Sequence, residues 1–348
     1  MLIYAFRRLL LLPVILFVVT LILFLLILRL PREQRVMIYV PKSSTATGAQ
    51  VSQKTIETQV ERYGLDDPWP VQYVRWMQEL LSGGWGYSPT WRQTVFEGIR
   101  RRLPATLELA LYAMLPAILL ALLLGSTAAR RYGRLPDHAI RAAAFVAWAF
   151  PPFILALLLL DVFYADLGWL PTQRLSLSAS RLVSSGDFQS YTGLLTVDAL
   201  LNRELAVFFD ALRHLVLPAF TLALTEWALL ARIMRSSLVG VLRKDFITVA
   251  RAKGLPERAV VGRHAHRNAV LPLISAGGTA VSMLISGIVV VENIFDYNGL
   301  GTWAVQGILN SDVPVAAGFA ILSCIITVLA SLLADLVYAL VDPRVRLF

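Results

Sequence analysis

The residues able to do chemistry are few, and their spacing excludes more than it allows. A phosphate-cradling loop needs Gly-x-x-x-x-Gly-Lys-Ser/Thr, because backbone N–H groups and the lysine share the phosphate charge. The four lysines, Lys42, Lys54, Lys244 and Lys253, follow Pro41, Gln53, Arg243 and Ala252, so the chain has no Gly-Lys pair. Nucleotide hydrolysis in this chain is therefore excluded. The four histidines are His138, His214, His264 and His266. The last two are two apart, on different faces of a helix, and the i,i+4 spacing of a His-Glu-x-x-His zinc site is absent. The single cysteine, Cys324, permits neither an internal disulfide nor a cysteine metal cluster. No catalytic constellation and no metal site is expected.

What remains is a set of acids in apolar surroundings: Glu108, Glu226, Glu292 and Asp335. An ionised carboxylate at membrane depth must be hydrated, paired or protonated. Glu108, Glu292 and Asp335 fall near the ends of apolar blocks, where solvent or an arginine satisfies them. Glu226 falls mid-block. Arg232 and Arg235 lie six and nine positions away, not the three or four that bring helical side chains together. Glu226 therefore requires a partner on another helix or water in a cavity, and it is a candidate for the lining of a translocation path.

The most informative polar stretch runs from Lys244 to Pro256. Asp245 is expected to cap a helix over Phe246–Lys253. Gly254 suits the left-handed residue after a helix end, and Pro256 starts a second helix, extending to Ala269, with Glu257 in its first turn. A capped helix between membrane segments is a surface for presentation to a partner.

The elements that position these residues follow from composition. The 348 residues are 57% hydrophobic and 16% charged, against about 25% charged in soluble domains. Apolar blocks occupy Leu9–Leu28, Leu109–Ala129, Ala142–Leu160, Leu215–Ala231, Ala269–Val291 and Val313–Ala334. Each approaches the ~20 residues that a helix needs to cross a bilayer, so six transmembrane helices are expected. The first block is longer than a signal peptide's apolar core and lacks a small-x-small cleavage site, which reads as a retained helix.

Basic residues set the orientation. Arg7 and Arg8, Arg130, Arg131 and Arg134, the arginine-rich segment 243–267, and Arg344 and Arg346 all fall on one side of a six-span topology. Both termini are therefore expected in the cytoplasm. Arg100–Arg102 falls outside, at the end of a long segment that weighs little in this rule.

One membrane domain over 1–348 is expected, with an extracytoplasmic insert at 31–104, a second outer loop at 164–211 and a cytoplasmic loop at 236–268. In the insert, Lys42–Gly48 reads as a flexible loop. The aromatic stretch from Trp69 to Trp76 reads as a helix at the membrane surface, and the second outer loop, which holds Ser176–Ser185, as partly mobile. The net charge of +9 holds loops inside and meets anionic headgroups. No basic stretch is interleaved with aromatics, so nucleic acid is not an expected partner.

Several motifs, in order, resemble one family. Ala250-Arg-Ala-Lys-Gly254, Arg263-His-Ala-His-Arg-Asn-Ala269 and Leu271-Pro272 are similar to the cytoplasmic loop of binding-protein-dependent ABC importer permeases. Tyr4-x-x-Arg-Arg8, Tyr63-Gly-Leu-Asp-x-Pro68, Gly84-Trp-Gly-Tyr-Ser88 and Arg102-Leu-Pro-Ala-Thr-Leu-Glu-Leu109 extend the likeness. So do Val290-Val-Glu292, Gly299-Leu-Gly301, Asp312-x-Pro314 and Asp342-Pro-Arg344. Within the family the chain looks like the B-type permease of the dipeptide, oligopeptide and nickel group. It departs in carrying Pro31-Arg-Glu-Gln-Arg35 where the family usually reads Pro-Gly-Asp-Pro, and Thr248-Val-Ala250 where it often reads Glu-Ala-Ala.

The resemblance implies an all-α polytopic protein with the fold of a type I ABC importer transmembrane domain, in the cytoplasmic membrane of a prokaryote. It implies a second permease subunit, two ATPase subunits that hold ATP and Mg, and an extracytoplasmic substrate-binding protein, with no cofactor on this chain. Asp245, Phe246, Ala250, Arg251, Ala252, Lys253, Gly254, His264, Arg267 and Asn268 are the implied ATPase-coupling residues. Glu226, Glu292, Gly299, Leu300 and Gly301 are the expected pathway or gate residues, with the glycine pair turning back toward the pore mouth. Peptide is the expected substrate. The alternative is a stand-alone secondary transporter or channel, which would show repeats or interrupted helices at matching positions.

Overall fold

The computed structural model describes residues 2–31, 35–36 and 53–341, and within these the chain is built almost wholly of helices. In chain order they are α1 (Leu2–Ile27), α2 (Gln53–Tyr63) and α3 (Trp69–Leu81). A two-residue hairpin follows, β1 (Tyr87–Ser88) and β2 (Gln93–Thr94), with Tyr87 opposite Thr94. Then come α4 (Val95–Arg130), α5 (Leu135–Ala149), α6 (Pro152–Leu160), α7 (Leu177–Val183), α8 (Leu195–Leu201) and α9 (Leu205–Leu242). The remainder are α10 (Asp245–Ala252), α11 (Glu257–Ala259), α12 (His266–Ala269), α13 (Leu271–Ile294), α14 (Leu300–Leu309) and α15 (Val313–Val341). The Lys42–Gly48 loop and the Asp342-Pro-Arg344 motif lie outside the described residues.

Four described helices, α4, α9, α13 and α15, are long and apolar enough to cross a membrane. The pair α5 and α6 makes a fifth span if it is counted as one, and it is bent by 96°. The expected six add α1, whose 26 residues include a shorter apolar portion, Pro13–Ile27. The third block was expected as one transmembrane helix over Ala142–Leu160, and the structure divides it into two helical pieces. Phe150 is extended (φ −88°, ψ 124°), as a residue before proline prefers. Pro151 and Pro152 lack the N–H groups that would continue the ladder. The helix stops and restarts in a new direction.

The chain forms two compact units. One comprises Met1–Arg8, Leu107–Tyr297 and Thr327–Phe348. Its centre is α9, packed against α5, α6, α13 and the later turns of α4. The packing is alanine-rich: Ala117, Ala121, Ala223, Ala228, Ala231 and Ala280 are buried, and small residues let backbones approach closely in spans. Gly125 shows how closely, since a Cβ there would lie 2.8 Å from the Ala231 carbonyl oxygen. Within the second outer loop, the Ser176–Ser185 stretch contains α7, whose first turn is capped by Ser176 Oγ accepting from the Ala179 N–H at 3.3 Å.

The other unit comprises Leu9–Thr106 and Asn298–Ile326. The aromatic stretch is indeed helical, but α3 does more than lie at a surface. Tyr73 and Trp76 are buried against Phe24 of α1, with Tyr73 and Phe24 edge to face at 5.4 Å. The Tyr73 hydroxyl shares a 2.9 Å hydrogen bond with Thr20 Oγ1. A second cluster joins Val95, Ile99, Leu300, Trp303 and Val315. Arg102, from the arginine triplet, stacks over Trp91 at 4.5 Å.

Candidate functional site

The polar stretch after α9 folds into a corner. Lys244, not Asp245, is the flanking residue of α10, its carbonyl accepting from the N–H groups of Ile247 and Thr248. Asp245 is the first helical residue and makes no capping hydrogen bond. Its carboxylate still lies at the positive end of the helix, where a negative charge is favoured. The helix ends at Ala252, and Gly254 takes φ +75°, the left-handed conformation that glycine adopts without a Cβ penalty. Beyond Pro256 the second helix is not uniform as expected. A wide π turn over Val260–Ala265 separates α11 from α12.

This corner divides its side chains cleanly. Ile247 and Ala250 face inward and join the core with Val260, Ala265 and Ala269. Phe246, Val249 and Leu255 face outward, exposed by 42%, 53% and 39%. Ala252, Lys253 and Gly254 are also exposed. Arg251 Nη2 donates to Glu257 Oε1 at 2.7 Å, tying α10 to the helix after the corner. That bond holds the Glu257 carboxyl below its ordinary range. His264 is half-buried, while Arg267 and Asn268 are exposed. Asn268 Nδ2 donates to the His264 carbonyl at 2.9 Å. All ten residues expected in coupling thus fall on one short segment.

His266 was not among them. Its Nε2 lies 3.1 Å from Ser126 Oγ near the end of α4. Burial and the nearby Arg130 push its imidazole below the usual range. Nothing in the local sequence signals a contact across 140 positions.

The expected pathway residues are divided between the two units, Glu226 and Glu292 in one and Gly299, Leu300 and Gly301 in the other. Glu226 is 8% exposed, and among the described residues it has no hydrogen-bond or ion-pair partner. It lines a cavity of about 460 Å³ with Trp148, Phe150, Phe153, Thr225, Met283 and Ser286. The cavity opens where Pro151 and Pro152 break the third span. Glu292 is fully buried, which removes solvation from the two ways in which a helix-end acid was expected to be satisfied. Its carbonyl accepts from the Tyr297 N–H at 2.8 Å, and it does not line the Glu226 cavity. Burial raises the Tyr297 hydroxyl above its ordinary range, against the opposing pull of Arg174.

Gly299, Leu300 and Gly301, expected to form a turn, begin α14, with Gly299 as the flanking residue and both Leu300 and Gly301 buried. The Leu300 N–H donates to Thr106 Oγ1 at 2.8 Å, which satisfies one of the donors left open at a helix start.

Two buried ion pairs join partners that sequence reasoning did not name, although an arginine was one of the two expectations for Glu108. Arg235 makes a two-pronged contact with Asp137, its Nη2 donating to Oδ2 at 2.8 Å. Arg174 Nη2 donates to Glu108 Oε2 at 2.8 Å. The partners are 98 and 66 positions apart.

Long apolar helices around an alanine-rich core, with a capped polar corner between spans, define a multi-pass helical membrane protein. The family model of the binding-protein-dependent transport system inner membrane component matches residues 117–347, and its N-terminal companion matches 1–110. The chain belongs to this family, as a transport permease component. It is 38% identical over 287 residues to the di/tripeptide transport system permease protein DppB of Pseudomonas aeruginosa, covering 82% of this chain and 84% of that one. It is 35% identical over 344 residues to the oligopeptide transport system permease protein AppB of Bacillus subtilis, covering 99% of each. Similarity to the probable D,D-dipeptide transport system permease protein DdpB of Escherichia coli is 38% over 299 residues, covering 86% of each.

Proposed function

We propose that this chain is the pore-forming permease subunit of an ATP-driven importer that moves di- or oligopeptides across the cytoplasmic membrane of a prokaryote. The peptide substrate is carried over from the names of its relatives. In this reading a second permease completes the pore, two ATPase subunits supply ATP and Mg chemistry, and an extracytoplasmic binding protein delivers the peptide. The chain itself binds no cofactor and catalyses no reaction.

The observation that carries the reading is the corner at Asp245–Gly254. Phe246 and Val249 are exposed on a helix whose opposite face is anchored by Ile247 and Ala250. Apolar side chains held rigidly outward suit insertion into a groove on another protein. Because the inner face belongs to the same core as α9 and α13, movement of the docked helix would pass to those spans as a rigid body. The test is co-purification of ATPase subunits with the tagged permease, followed by ATP-dependent peptide uptake in proteoliposomes that contain the loaded binding protein. A permease that isolates without ATPases, and imports peptide on a proton or sodium gradient instead, would overturn it. The broken third span is a feature of such gradient-driven transporters, but no matching break occurs among the other described spans.

A further inference from the structure

The cavity at the broken third span combines features that a merely structural void does not need. A carboxylate at membrane depth that faces hydrocarbon is strongly disfavoured, so Glu226 must meet water, a counter-ion or a ligand. Among the described residues no side chain pairs with it. The obvious neighbour is otherwise engaged, since Arg232 is stacked on Trp148 at 4.8 Å. Glu226 is 8% exposed, so what meets its carboxylate is whatever occupies the cavity it lines.

Around this acid the walls are aromatic and weakly polar. Trp148, Phe150 and Phe153 line the cavity, and Thr225 and Ser286 add hydroxyls. Aromatic faces attract cations through their quadrupole. One anion among aromatic rings is the composition that recognises an ammonium group. At about 460 Å³, the cavity lies in the range of about 300–1,000 Å³ typical of small-molecule sites. The backbone has a matching reason to be irregular here, because broken helices are tolerated at membrane depth where they line a cavity.

We infer that the Glu226 cavity is a binding site for a primary ammonium group, such as the free amino terminus of a peptide in transit, with Glu226 as counter-charge and Phe150 and Phe153 as its aromatic wall. The choice of a peptide as the bearer of that ammonium rests on the importer reading above. The ammonium chemistry does not.

The test uses the assembled complex in lipid nanodiscs, without binding protein. Dicyclohexylcarbodiimide, an apolar reagent for buried carboxyl groups, is applied, and its adduct on Glu226 is followed by peptide mass spectrometry. Dialanine is expected to slow labelling at least fivefold, and N-acetyl-dialanine to leave it unchanged. Equal protection by both, or by neither, overturns the site. So does a Glu226 that resists the reagent and becomes reactive only when the second permease is removed, since it is then the ion-pair partner of that subunit.

A second arm keeps the proposal testable through transport. Glu226→Gln is expected to lower uptake of dialanine about tenfold at saturating loaded binding protein, with Glu226→Asp recovering part of it. If Glu226→Gln disrupts assembly, Phe153→Leu takes its place and should weaken protection by dialanine severalfold. Wild-type uptake that the Gln variant matches overturns the site while leaving the importer intact. A wild-type complex that imports no peptide, yet is protected by simple alkylammonium ions, overturns the importer reading and leaves the site standing.

Discussion

Glu108 and Arg174, 66 positions apart, form one buried junction. Glu108 Oε2 accepts from Arg174 Nη2 at 2.8 Å, and Oε1 accepts from both the backbone N–H and the hydroxyl of Thr196 at 2.7 Å. Arg174 also donates to the Gly193 carbonyl at 3.1 Å. One carboxylate on α4 therefore ties down the loop before α7 and the first turn of α8. Its side chain is 2% exposed and that of Arg174 25%. Removing one member of a buried pair leaves the other charge uncompensated, at a cost of about 3–5 kcal/mol. Glu108→Ala is expected to lower the thermal midpoint of the purified complex by several degrees. In a double-mutant cycle with Arg174→Gln, the coupling should be about 1–3 kcal/mol. A midpoint within a degree of wild type would show that the junction contributes little.

Gly254 offers a cleaner test, because a Cβ there would meet nothing within 4 Å. Only its φ of +75° resists substitution. Gly254→Val should strain the corner by about 1 kcal/mol or more. We expect normal membrane insertion but loss of peptide uptake relative to ATP hydrolysed. Gly254→Asn, which tolerates the left-handed region better, should retain most of the coupling. Stoichiometry of peptide imported per ATP is the measurement.

In the importer reading proposed above, Phe246 and Val249 form the face on which an ATPase subunit docks. Phe246→Asp places a charge on the outward face while leaving Ile247 and Ala250 seated, so the permease should fold normally. Recovery of ATPase subunits on the tagged complex should fall at least tenfold. Undiminished recovery would assign the docking surface elsewhere.

The Arg251–Glu257 pair gives a signed dependence on pH. The folded carboxyl is held below its unfolded value by Arg251. Its stabilisation is therefore present above the unfolded pKa and is lost as pH falls through the folded one. Both side chains are exposed, so the pair contributes less than about 1 kcal/mol and is screened by salt. Hydrogen exchange of the Gly254 and Leu255 amides should accelerate modestly below the ordinary glutamate range, and Glu257→Gln should give that faster exchange at neutral pH.

Leu300 is 2% exposed. A cysteine there, in a Cys324→Ala background, is expected to react poorly with a membrane-impermeant maleimide in the resting complex. If α14 belongs to an outer gate, trapping ATP hydrolysis should raise the labelling rate. Equal rates in both states would make α14 a fixed structural element.

The amino-acid sequence by itself determined the spans and the polar corner, because both rest on local physics. A block of apolar residues partitions into lipid whatever surrounds it. Gly254 needs its left-handed φ, and Pro256 its restart, for reasons contained within a few residues. Even locally, helix starts carry an uncertainty of one residue, and so Lys244 flanks α10 where Asp245 was expected to.

Only the tertiary structure decided which acids are paired. Glu108 with Arg174, Asp137 with Arg235 and His266 with Ser126 join positions that no periodicity relates. Each contact exists only because packed helices bring distant turns within 3 Å or so. The same packing buried the start of the helix at Gly299–Gly301 and left Glu226 facing a cavity, whereas the break of the third span at Pro151 and Pro152 has a local cause. The sequence required that Glu226 find a partner or a cavity. Which of the two it meets depends on where neighbouring helices lie, and that is settled by side-chain packing across the whole unit.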